Sequence, residues 1–291
     1  MQKVVLPNHQ AVWAPNAVEA AVVYREVVAE STYLSHGIAL EPNAVVFDVG
    51  ANVGLFAIHL PRVVPGVRVH AFEPIPELFE ALQRNAAEHA PSVRVYNVGV
   101  AAHEGDAVFE VDRFMTISAS MHPRVFDRRP GVSGATWLAA ALDDASAVTP
   151  SRTLTALSAG LASRVWRPFV LIAMAPFLAL LGLRRRIYLR RPRCKLITLS
   201  QALATSGESH IDLLKIDVEG AEEDVLAGIG GADWPRINQL VIEVHDVDGR
   251  FDRMSRLLES HGFHVTRARE DWKLHELLQI STLYATRPAA A

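Results

Sequence analysis

From residue 45 onward, short apolar runs alternate with longer amphipathic stretches. The runs 45–49, 67–72, 93–98, 211–216 and 239–244 have the length and near-continuous apolar character of strands buried on both faces. Helical spacing fills 55–62, 75–90 and 221–228, and recurs at 252–261 after the fifth run. Strand, helix, strand in repeated order predicts an α/β fold with a parallel sheet covered on both sides. Two last apolar runs, 264–268 and 280–285, flank a polar stretch and predict an antiparallel pair closing the sheet edge. Upstream, 3–6 and 11–14 predict a hairpin around Pro7-Asn8-His9, followed by a helix over about 17–28.

The rhythm breaks once. About 110 residues separate the third and fourth strands, far beyond an ordinary crossover. A hairpin of 107–111 with 115–119 fills part of the gap, and 126–193 reads as an insertion. The expected organisation is therefore a preamble at 1–43, one α/β domain from 44–125 and 194–291, and the insertion. Segments of this kind enter at strand ends, which places this one beside the ligand crevice.

Charge sharpens that division. The chain carries −3 overall, yet 145–207 holds no Asp or Glu and ten of the 29 basic residues, leaving 19 basic against 32 acidic side chains elsewhere. Such asymmetry points to an anionic partner for one segment only. Residues 168–183 are uncharged, with Arg164 and Arg167 before them and Arg184, Arg185 and Arg186 after. That run falls short of the roughly 20 apolar residues a spanning helix needs, and Pro176 would kink it. Three readings stand: a lid over a lipid-like substrate, a contact with an anionic membrane surface, or a homo-oligomer interface. Arginines interleaved with aliphatic residues, and few aromatic platforms, argue against nucleic acid. The single cysteine, Cys194, excludes an intrachain disulfide and a multi-cysteine metal site. With no apolar leader at the N-terminus, the expected location is the cytoplasm, with attachment to the inner membrane face as the variant.

Chemistry concentrates where strands end. The run Val45-Val46-Phe47-Asp48-Val49-Gly50-Ala51-Asn52-Val53-Gly54 is the strand–turn–helix of a nucleotide-binding unit, in which small residues let backbone approach a ligand. The second strand closes on Glu73, placed to accept hydrogen bonds from ribose hydroxyls. The first, fourth and fifth strands deliver Asp48, Asp217, Glu219, Glu243 and His245 toward one crevice. Buried carboxylates cost several kcal/mol unless paired, so a core gives no reason for them there.

These strings, with Phe72-Glu73-Pro74, Leu214-Lys215-Ile216-Asp217-Val218-Glu219-Gly220-Ala221-Glu222 and Ile242-Glu243-Val244-His245, resemble the FkbM family of S-adenosylmethionine-dependent methyltransferases. The resemblance covers about 30–122 and 196–286. It implies a class I, Rossmann-like fold of seven strands, mostly parallel with the last antiparallel, and methyl transfer mostly to a hydroxyl. Ala102 and Ser200 stand where members usually carry acids. On this resemblance Gly50, Asn52 and Gly54 are expected to wrap the methionine part of the cofactor, and Asp48 to order that loop or meet the ammonium. Glu73 would hold the ribose, Asn97 and Gly99 would lie near the adenine, and Asp217 and Glu219 would face the sulfonium.

His245 is the expected general base, oriented by Glu243 or Glu219, because imidazole titrates near neutral pH. Read as bare chemistry, Glu219 and Glu222 also suit a helix N-terminus, and His245 also suits a satisfied strand-end histidine. No metal ion is expected, since no spacing matches a helical metal motif and a Glu/His pair is the lesser reading. The acceptor expected for such a chain is a bulky hydroxylated metabolite: a lipid, polyketide or glycoside. N- or C-methylation on the same fold, a nucleotide-binding oxidoreductase and an inactive membrane-attached scaffold are the alternatives. The missing G-x-G-x-x-G spacing weighs against the oxidoreductase.

Overall fold

The computed structural model describes residues 1–112, 115–121, 189–269 and 273–287, with single helical positions at 156 and 159. In chain order the first elements are β1 (Gln2–Val5), β2 (Ala11–Ala14), α1 (Ala17–Tyr24), β3 (Val45–Val49), α2 (Leu55–Val63), β4 (Arg68–Phe72) and α3 (Pro76–His89). Then come β5 (Arg94–Tyr96), β6 (Gly99–Val100), β7 (Gly105–Val108), β8 (Glu110–Asp112), β9 (Met115–Ser120), β10 (Leu189–Arg190), β11 (Arg193–Ile197) and α4 (Leu199–Ser206). The last are β12 (Leu213–Ile216), α5 (Glu222–Ala227), β13 (Gln239–His245), α6 (Arg250–Ser260), β14 (His264–Ala268), α7 (Lys273–Leu278) and β15 (Ile280–Thr286).

Among the described residues, seven strands form the main sheet in the order β14-β15-β13-β12-β3-β4-β5. The four pairings from β13 to β5 are parallel, while β15 runs antiparallel to both β13 and β14. The expected antiparallel pair thus exists, but the later strand is interior and the earlier one is the edge. Burial explains the order: Ile280 to Ala285 are all buried, whereas β14 exposes His264 and Arg267.

Alternation along the strands sorts the core into two layers. Val45, Phe47, Val49, Leu214, Ile216, Ile242 and Val244 pack on the side of α4, α5 and α6. Val46, Leu213, Val241 and Tyr284 pack on the other side, with α2, α3 and the N-terminal segment. The two-residue period therefore carries Asp48, Lys215, Asp217, Glu243 and His245 onto that second face, toward the strand tips.

The N-terminal hairpin pairs Gln2 to Val5 with Ala14 to Ala11, as its pattern predicts. It is tied to the domain through Asn85 of α3, whose side chain accepts from Trp13 N at 2.7 Å and donates to the carbonyls of Trp13 and Val53 at 2.9 and 2.8 Å. The predicted helix over 17–28 is α1 followed by one π-helical turn, Arg25–Ala29.

The gap region differs from its prediction. β7 pairs with β11, and the hairpin consists of β8 with β9. Leu189, Arg190 and Arg193, which hydropathy assigns to the insertion, already pair with β8 and β7. The run 168–183 lies outside the described residues. Among the described residues, no helix is long and apolar enough to cross a membrane.

Candidate active site

Three polar groups meet at the carboxyl ends of β3, β4, β12 and β13. The first centres on Lys215, a buried lysine inside an otherwise apolar strand. Its Nζ lies 3.1 Å from Asp48 Oδ1 and 3.3 Å from Asp217 Oδ2, and donates to the Gly50 carbonyl at 3.0 Å. Burial works against its charge, but the carboxylates of Asp48 and Asp217 outweigh that and hold its pKa well above the ordinary lysine value. Asp48 is fully buried; desolvation raises its pKa against the pull of Lys215.

Gly50 makes this junction feasible. It sits at φ +78, and a Cβ there would fall 1.7 Å from the Asp217 carbonyl oxygen. Only glycine lets the tip of β3 press against the tip of β12. At this glycine the structure brings two strand tips into close approach.

Tyr33, from the N-terminal segment, closes the first group. Its hydroxyl donates to Glu26 Oε1 at 2.7 Å and lies 3.3 Å from Asp217 Oδ2, and the Lys215 ammonium stands 5.1 Å from its ring centre. Burial, then the negative charges of Asp217, Glu26 and Glu243, raise its pKa well above 10.

The second group surrounds Glu73. Its two oxygens accept from the backbone N–H groups of Asn52 and Ile75, each at 2.9 Å. Asn52 stands at φ +52, and its side-chain oxygen accepts from Val53 N at 2.7 Å. Burial pushes the Glu73 carboxyl up to about 8, against the two N–H groups that favour its charge. The exposed Asn97 donates to the carbonyls of Glu73 and Pro74 at 2.9 and 3.1 Å, so it fixes the turn after β4. Gly54 heads α2 at φ +85 against Leu82, and Gly99 opens β6 beside Leu196.

The third group lies at the tips of β12 and β13. His245 is buried between two carboxylates: Nδ1 is 3.0 Å from Glu222 Oε1, and Nε2 is 3.2 Å from Glu219 Oε2. Desolvation would lower its pKa, but Glu219 and Glu222 outweigh it and raise it to about 10. Glu219 is half-buried at φ +54, with its own pKa raised by burial against His245. The Ser120 hydroxyl donates to the Glu219 carbonyl. Glu222 is fully buried and also accepts from Gly220 N at 2.7 Å and from Arg250 at 2.8 Å. One carboxylate oxygen each of Glu219 and Glu243 and one ring nitrogen of His245 lie within 4.8 Å of one another.

The structure adds two features to the expectations about His245. Glu219, one of the two acids expected to orient the ring, lies beside Nε2, and Glu222, read from sequence only as a helix-start acid, is a second partner, on Nδ1. A ring held protonated near neutral pH is also not a free base by itself. Sequence reasoning also passed over Lys215, Tyr33, Glu26 and Arg250. A lysine inside an apolar strand was the available signal for the first. The others depend on tertiary contact and left none.

With Glu73 set aside as largely protonated, the six acids Glu26, Asp48, Asp217, Glu219, Glu222 and Glu243 face three cationic side chains, Lys215, His245 and Arg250. Carboxylates in excess suit a cationic ligand, and the paired acceptor oxygens of Glu73 suit a diol, so the residues fit S-adenosylmethionine.

The strand order, with the last strand reversed and inserted beside β13, and the acid-lined strand tips define a class I methyltransferase. The model of the methyltransferase FkbM domain matches residues 179–265. The chain is 37% identical over 260 residues to 31-O-demethyl-FK506 methyltransferase FkbM of Streptomyces tacrolimicus, covering 89% of this chain and 88% of that one. It is 33% identical over 291 residues to the AMB antimetabolite synthetase AmbE of Pseudomonas aeruginosa, covering 98% of this chain and 12% of that protein. Among solved structures it is similar to precorrin-6y C5,15-methyltransferase of Geobacter metallireducens, with 10% identity, TM-score 0.40, and coverage of 93% and 87%. The chain belongs to the FkbM methyltransferase family.

Proposed function

We propose that the protein is an S-adenosylmethionine-dependent O-methyltransferase acting on a hydroxyl of a bulky metabolite of the lipid, polyketide or glycoside kind. The observation that carries this reading is the surplus of carboxylates on one face at the tips of β3, β4, β12 and β13. A relative named for 31-O-demethyl-FK506 supports oxygen as the acceptor. The uncharged run 168–183 supports a bulky apolar one.

When bound, S-adenosylmethionine supplies a methyl group on a positively charged sulfur. Glu73 would hold the ribose hydroxyls while its oxygens keep the Asn52 and Ile75 N–H groups. Asp48 and Asp217, tied together by Lys215, would present negative charge to the cationic part. Glu219 is the half-buried member of the third group, so its carboxylate accepts the proton of the attacking hydroxyl. His245, locked by Glu222, holds Glu219 in place and spreads the charge.

Calorimetric titration with S-adenosylhomocysteine tests the cofactor. Wild-type protein binds it, and Glu73→Ala weakens binding at least about tenfold, in line with losing its hydrogen bonds to the ribose. Equal affinities would refute the assignment of Glu73. Glu219→Gln should lower kcat at least about 100-fold while leaving that affinity nearly unchanged. Full activity in this variant would remove Glu219 from the proton path. NMR of the methylated product separates O- from N- or C-transfer.

A further inference from the structure

We propose that Glu219, Glu243 and His245 form a binding site for one divalent first-row cation at the tips of β12 and β13. Their three donor atoms lie within 4.8 Å of one another. Nitrogen and oxygen donors sit about 2.0–2.2 Å from such an ion, hence no more than roughly 4.4 Å apart. A contraction of a few tenths of an ångström would close the site.

The donor set is mixed, one imidazole and two carboxylates, which suits manganese, iron or zinc and leaves coordination positions open. The surroundings of His245 are those of a ligating histidine. A metal-bound imidazole characteristically donates its far N–H to a carboxylate, which fixes the tautomer and aims the other nitrogen at the ion. Here Glu222, fully buried, takes the Nδ1 side at 3.0 Å and is itself held by Arg250 at 2.8 Å and by Gly220 N at 2.7 Å. That leaves Nε2 facing Glu219.

Charge agrees with this. Glu219 and Glu243 set two carboxylates beside one ring, and Arg250 is turned toward Glu222 and Glu223. A cation entering here displaces the proton between His245 and Glu219, and that proton leaves to solvent. The role of the ion rests on the O-methyltransferase reading: an acceptor hydroxyl in an open position would lose its proton more easily. Its binding does not.

The test is titration of the chelator-treated full chain with Mn2+, followed by electron paramagnetic resonance of the free ion. One ion should bind per chain. Glu243→Gln and His245→Ala should each weaken binding at least tenfold, and Glu222→Gln about tenfold through the outer shell. Glu223→Gln, on the same helix but outside the cluster, should stay near wild type. Each variant is also titrated with S-adenosylhomocysteine, which reports whether it is folded. Failure of the wild type to take up stoichiometric Mn2+, or equal uptake by folded Glu243→Gln and His245→Ala, overturns the site. S-Adenosylhomocysteine bound without Mn2+ would leave the methyltransferase reading standing and sink the ion. Mn2+ bound without S-adenosylhomocysteine would do the reverse.

Discussion

At Glu73, a carboxyl whose pKa is raised to about 8 by burial sits where the unfolded chain would hold it near 4.5. Between those values the folded state binds the extra proton, so the contribution of Glu73 to stability falls as pH rises from about 4.5 to about 8. Glu73→Gln removes that titration. The stability of the variant relative to wild type should therefore climb across this window, by at most about 1.4 kcal/mol per pH unit. Urea denaturation of both proteins at several pH values checks this; a constant difference would mean that Glu73 is ionised throughout. Lys215→Met is the complementary case, since it leaves Asp48 and Asp217 without their cation. Breaking a buried pair in this way costs about 3–5 kcal/mol, measurable as a lower denaturation midpoint. Asp48 and Glu73 were legible in the sequence because each closes an apolar run. The partnership of His245 with Glu222 was not, because it joins two elements across 23 residues, with Glu222 placed by the preceding turn that is left-handed at Glu219.

Among elements, the central strands were the easiest to read. β3 matches its predicted span residue for residue, and β4, β12 and β13 differ only at their ends, because all four are buried on both faces. β11 and α4 went unread. The alternation Arg193-Cys194-Lys195-Leu196-Ile197 is interrupted by charge, and α4 opens on a capping box, Thr198 with Gln201, directly beyond it. Thr198→Ala removes the cap and should cost about 1 kcal/mol by thermal or chemical melting. The turn after β3 is a stricter element. Gly50→Ala must shift either that turn or the Asp217 carbonyl, which lies 1.7 Å from the added carbon. The expected result is loss of S-adenosylhomocysteine affinity together with lowered stability; a variant that binds normally would show the junction to be pliant.

On the scale of the molecule, the N-terminal segment belongs to the site. Tyr33 reaches Asp217 and Lys215, the Tyr284 hydroxyl of β15 donates to the Thr32 carbonyl at 2.7 Å, and Asn85 joins the first hairpin to the turn that follows Gly50. Asn85→Ala leaves Trp13 N–H and the carbonyls of Trp13 and Val53 without this partner. The expected outcome is a loss of about 1–3 kcal/mol and faster proteolysis within residues 1–16. From sequence this stretch was only a preamble, because nothing local in 17–36 reveals that Tyr33 reaches a strand tip 184 residues away.

The interior place of β15 also bears on how the chain is made. β13, which carries Glu243 and His245, pairs with Ile280 to Thr286, and the edge strand β14 pairs with the same segment from its other side. During synthesis β14 emerges first and has no neighbour to join. β13, which holds the imidazole, can join β12, but its outer edge stays open until the segment Ile280 to Thr286 is available. A chain truncated at residue 270 would then leave one edge of β13 and the whole of β14 unmated, an invitation to chaperones that the paired sheet no longer extends.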